Sequence, residues 1–195
     1  MTDAQFVEPG VSRRKFNREI AEFRSHGDQF QKRGWFLAHS KFPNVCVVLA
    51  TRKTSPVMLM LGVALNYSNY DLVPPSVQLV HPISGKPYKG SELPTPLPRL
   101  LPTSDLNCVP PRIETQPFMQ AYGPDEVPFL CVAGVREYHE HPAHSGDAWE
   151  LHRPNGAGRL VRLIEIIDKY GPDVVESIAV EMTPKVHFGF GVPPQ

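Results

Sequence analysis

The chain has 195 residues, and its 20 basic side chains balance 20 acidic ones, which suits one domain with a sizeable core. That balance leaves no electrostatic footprint for nucleic acid or an anionic membrane. Three cysteines make no disulfide framework, no signal-like apolar run opens the chain, and the longest apolar run (56–65) is too short to span a bilayer, so a cytoplasmic protein is expected.

Residues 1–11 read as a frayed N-terminus. Ser12 is a candidate N-cap, and Phe16, Ile20, Phe23 and Phe30 follow at roughly helical spacing, predicting one amphipathic helix over 13–32 that ends near Gly34. The basic residues of that stretch are interrupted by Glu19, Glu22 and Asp28, as on a solvated helix face. Strand signals follow at 34–40, 45–50 and 57–65, separated by a Pro43-Asn44 turn and a polar turn at 51–56. Pro74 and Pro75 force an extended path, and the alternation of Val77, Leu79 and His81 with Ser76, Gln78 and Val80 predicts a fourth strand. An α+β domain with a four-stranded antiparallel meander results.

From 84 to 127 prolines recur and no period persists, so this stretch reads as a long proline-rich insertion, parts of which pack down through Leu97, Leu100, Leu101, Phe118, Met119 and Tyr122. Leu160, Leu163, Ile164, Ile166, Ile167 and Tyr170 then mark a C-terminal helix that stops at Gly171-Pro172. The whole chain, 1–195, is read as a single domain.

Between that insertion and that helix, residues 130–153 hold four of the eight histidines, one of the three cysteines and four carboxylates. Thiolate, imidazole and carboxylate are the groups that ligate metals and carry covalent or acid–base chemistry. Two uses of them are open. In the first, Cys131 is a nucleophile whose thiol is activated by a cation such as Arg136 or by an imidazolium, with His139, His141, His144 or Asp147 as proton acceptor. Ser145 is a weaker candidate nucleophile. In the second, an extended 136–141 would put Glu137, His139 and His141 on one face, with Cys131 or His144 completing a tetrahedral zinc site. Each piece also has a plain reading: Cys131 as a small buried hydrophobe, Asp147 as a turn cap, Trp149 as packing. Cys46 lies in an apolar strand, and Cys108 has no acid–base motif around it.

Tyr70, Pro74, Pro75 and Val77, then His81-Pro82, then Phe129-Leu130-Cys131-Val132 and Trp149 resemble the ubiquitin-conjugating enzyme family over roughly residues 12–170. Ile83 stands where that family carries an asparagine that supports the oxyanion, so a histidine or backbone amide would have to serve. The resemblance implies a ubiquitin-conjugating-like fold, a ubiquitin-like modifier held on Cys131 as a thioester, an activating enzyme as donor and protein targets as acceptors. Cys131, Glu137 or Glu140, and two of His139, His141 and His144 also resemble a bacterial predicted metal-binding family, named for a cysteine, a glutamate and two histidines, from ubiquitin-like conjugation operons. That likeness implies a non-catalytic zinc-binding accessory role in the same pathway.

Overall fold

The computed structural model describes residues 6–101, 115–179 and 189. The apolar runs become β1 (Trp35–Lys41), β2 (Asn44–Ala50), β3 (Leu59–Asn66) and β4 (Ser76–Val80), paired antiparallel in that order. Register turns the sequence alternation into one apolar face. Val45, Leu65 and Val77 lie side by side, and Val47, Val63 and Leu79 make the next row. All six are at most 2% exposed, because side chains two apart on a pleated strand share a face.

The helices are α1 (Pro9–Ser25), α2 (Gly27–Lys32), α3 (Arg136–Glu140), α4 (Trp149–His152) and α5 (Leu160–Tyr170). Phe16, Ile20 and Phe23 of α1 and Leu160, Leu163, Ile164 and Ile167 of α5 join the two sheet rows in one apolar cluster. Burying each of these leucines and isoleucines stabilises the fold by about 1.5–3 kcal/mol. The expected α+β architecture and four-stranded meander are therefore present.

The N-terminal helix differs from expectation in both its start and its continuity. It begins at Pro9, where the Glu8 carboxylate accepts from the amides of Gly10 and Val11, each at 2.9 Å. Proline at the first helical position has no amide to satisfy, and a carboxylate suits the positive end of the helix. Ser12 is buried inside the helix instead of capping it. The amides of Phe6 and Val7 donate to the Asn69 side chain at 2.8 and 3.0 Å, which ties down part of the stretch expected to fray. Near its C-terminal end the single expected helix is broken at His26, between α1 and α2.

The proline-rich insertion is partly ordered into two small ladders. β5 (Pro98–Leu100) pairs with β6 (Thr115–Pro117), and β7 (Met119–Gln120) pairs with β8 (Phe129–Leu130). Leu97, Phe118 and Met119 reach the main core, whereas Tyr122 is exposed. Cys108 and most of the C-terminal tail lie outside the described residues. No helix among the described residues is long and apolar enough to cross a membrane.

Candidate active site

Cys131 is positioned by the second ladder. Its amide donates to the Phe118 carbonyl at 2.7 Å, directly after β8. Gly134 then lets the chain turn at φ +115°, so close to Ala157 that an added Cβ would lie 2.4 Å from the Ala157 carbonyl oxygen. Only glycine combines that dihedral with that approach. α3 follows, anchored by two side chains. Arg136 is buried, and its guanidinium donates to the carbonyls of Pro74 (3.2 Å) and Ser68 (2.8 Å). Glu137 accepts from the Ser76 hydroxyl and, at 3.3 Å, from the Val77 amide. The diproline segment thus serves as the dock for the helix that follows Cys131.

Because 136–140 is helical, the extended arrangement expected for a zinc site does not occur. Glu137 faces β4 and is committed to Ser76 and Val77. His139 is committed as well: Nδ1 meets the Asp147 carbonyl at 2.8 Å and Nε2 meets the Gly134 amide at 3.4 Å. A carbonyl only accepts and an amide only donates, so His139 is a neutral ring with its proton on Nδ1. Burial pushes its pKa down in the same direction. Among the described residues no three histidine, cysteine, aspartate or glutamate side chains are arranged to hold a metal ion. Arg136 is also corrected as the thiol activator, since it is spent on backbone carbonyls.

Cys131 and His144 do come together. Pro142 starts a single tight turn (Pro142–His144), which brings His144 back so that Nε2 lies 3.3 Å from the Cys131 sulfur. Burial pushes the Cys131 thiol above its ordinary value, and the Arg99 guanidinium opposes that rise. Sulfur and imidazole nitrogen are therefore within reach of a shared proton.

Tyr138 lies face to face with His144 at a ring separation of 3.9 Å and 22° between planes. Its hydroxyl donates to Asp147 at 2.6 Å, and the other oxygen of Asp147 is 2.6 Å from His152 Nε2. The Tyr138 bond, then the His152 bond, hold the Asp147 carboxyl below the usual carboxylate range. Burial, then the Asp147 bond, push the Tyr138 hydroxyl up to about 12. Asp147 thus positions Tyr138 and His152 more than it caps a turn.

His141 is engaged elsewhere. Its Nδ1 accepts from the Ala143 amide at 3.2 Å, and its ring packs against those of Tyr122, Phe129 and His144 at 5.5, 5.2 and 5.5 Å. Ser145 is exposed on the turn after His144. Trp149 is buried, and its indole N–H donates to the Asp71 carbonyl at 3.1 Å, so it is a packing residue. His81 accepts from the amides of Ile83 and Ser84 at the end of β4, and Ile83 is 82% exposed.

Cys131 and His144 share a cavity of about 460 Å³ with Tyr138, Phe118, Gln116 and Arg99. Arg99 and Tyr138 were not singled out from sequence as site residues. Tyr138 stood in plain view among the histidines, but Arg99 gives no local signal, because it arrives from the insertion through the β5–β6 pairing.

A thiol and an imidazole thus lie within hydrogen-bond reach at the wall of a cavity, on an α+β frame. Residues 7–175 match the Y4jH-like family, and the chain belongs to it. An uncharacterized protein, y4jH, from Sinorhizobium fredii is 38% identical over 202 residues, spanning 100% of this chain and 98% of its own length.

Proposed function

We propose that this protein is a ubiquitin-conjugating-like transferase that carries the C-terminus of a ubiquitin-like modifier on Cys131. The observation that carries the reading is the 3.3 Å contact between Cys131 Sγ and His144 Nε2 in an open cavity. The helix–meander–helix order and the approach of Tyr70, Pro74, Pro75 and Val77 to β4 support it. Its partners are the modifier, the activating enzyme that delivers it and the protein that receives it.

In the loading step the Cys131 sulfur attacks the modifier's carbonyl on the activating enzyme. A new S–C bond forms, the donor's S–C bond breaks, and the proton from Cys131 passes through His144 to the departing thiolate. In the transfer step a target amine attacks the new thioester. An N–C bond forms, the Cys131 S–C bond breaks, and the amine's surplus proton is taken by His144 and returned to the Cys131 thiolate. Tyr138, held by Asp147, keeps the imidazole in place through its stacking.

Incubation with ATP, the modifier and its activating enzyme gives a thiol-sensitive adduct on the intact protein and none on Cys131→Ala. An identical adduct on Cys131→Ala contradicts the proposal.

A further inference from the structure

The insertion brings a cation to the thiol. Residues 115–120 carry β6 and β7, which pair with β5 and β8 respectively, and Phe118 lies between them. Arg99 is the cross-strand partner of Gln116. The Phe118 amide donates to the Leu97 carbonyl at 3.1 Å, while the Phe118 carbonyl accepts from Cys131. The Arg99 guanidinium lies over the Phe118 ring, 4.9 Å from its centre. Both Nε (3.0 Å) and Nη2 of Arg99 donate to the Gln116 side-chain oxygen. The guanidinium is therefore held by a neutral amide and an aromatic face. Among the described residues no carboxylate lies within ion-pair distance of it.

Among the described residues this half-buried guanidinium has no carboxylate within ion-pair distance, though Asp147 lines the same cavity, and it is placed to receive negative charge beside the thiol. It also keeps a nitrogen, Nη1, without a bond to either of its two supports.

We propose that Arg99 is the anion-binding residue of the Cys131 cavity, which takes a group bearing an oxygen-centred negative charge, such as a carboxylate, next to the carbon that bonds to sulfur. This deepens the conjugation reading, in which the charge gathers on the acyl oxygen during transfer, but the test does not require the modifier.

The test compares two alkylating reagents at one pH, iodoacetate (anionic) and iodoacetamide (neutral). With each, the Cys131 thiolate displaces iodide, an S–C bond forms and the C–I bond breaks. Both consume the same thiolate, so their rate ratio cancels any change in thiol acidity. Peptide mass mapping reads Cys131 and Cys46 in the same sample. In the intact protein the iodoacetate-to-iodoacetamide ratio is higher at Cys131 than at Cys46. Arg99→Gln lowers the Cys131 ratio by about tenfold, the scale of one charge-assisted hydrogen bond, and leaves the Cys46 ratio unchanged. Arg99→Lys restores most of it.

A Cys131 ratio unchanged in Arg99→Gln overturns the proposal. If that variant does not fold, equal ratios at Cys131 and Cys46 in the intact protein overturn it. Loss of the ratio in Arg99→Gln without any modifier adduct retires the conjugation reading and keeps the role of Arg99; an adduct with an insensitive ratio does the reverse.

Discussion

Two half-buried cysteines sit in two regions that share one apolar cluster but differ in their polar fastening. Cys46 lies in β2, inside a sheet whose other face is covered by α1 and α5 through apolar contact. Cys131 lies in a segment fastened by hydrogen bonds to backbone: Cys131 to Phe118, Arg136 to Pro74 and Ser68, Glu137 to Val77, Trp149 to Asp71. Burial pushes both thiols above their ordinary value, and for Cys46 nothing opposes it. Cys131 differs in having Arg99 against that rise and His144 within reach. A non-directional apolar core sets an architecture, while directional polar bonds place one sulfur against one nitrogen.

The comparison breaks first in the sheet region. Leu163 is fully buried in the apolar cluster. Leu163→Ala lowers unfolding stability by about 2–5 kcal/mol in denaturant titration. Because both regions share that cluster, Cys46 and Cys131 become accessible together. Selective exposure of Cys131 would mean that the regions unfold separately.

Arg136→Ala acts on the other side. It strips the Pro74 and Ser68 carbonyls of a charged donor and costs about 2 kcal/mol. Here hydrogen exchange rises first in α3 and around Gly134, with the β2–β3 amides still protected. Uniform exchange across the chain would show that the docking of α3 belongs to the frame.

Much of the frame was legible because it follows local rules. Val45, Val47 and Leu49 alternate in the sequence and all face inward, and the α5 stripe is the buried stripe. Errors came where a local pattern had a competitor. Ser12 looked like a cap, but Glu8-Pro9 supplies a better one a turn earlier. An extended 136–141 was the condition for the zinc arrangement, but the stretch is helical, and Arg136 and Glu137 find long-range partners from that helix. The density of histidines did not single out which of them lies beside the Cys131 sulfur. His144 is selected by the turn at Pro142, while His139 and His141 are spent on backbone and stacking. Arg99 was beyond local reasoning altogether, since strand pairing carries it there.

A smaller effect sharpens the polar side. The Asp147 carboxyl is held below the usual range by Tyr138 and then His152. A depressed folded-state value means stabilisation that is present above the ordinary carboxylate range and is lost as pH falls through the folded value. Asp147→Asn therefore lowers stability at neutral pH, converges with the intact protein at low pH, and so flattens the acid limb of the stability–pH curve. An acid limb identical to that of the intact protein would show that this carboxylate does not feel its two partners in solution.

The most direct measurement is the rate of iodoacetamide labelling at Cys131 and Cys46 in one sample at neutral pH, with and without His144→Ala. Cys131 labels faster than Cys46, and His144→Ala slows Cys131 by about tenfold or more while Cys46 keeps its rate. Equal rates at the two thiols, unchanged by His144→Ala, would contradict the assignment of Cys131 and His144 as a nucleophile and its base.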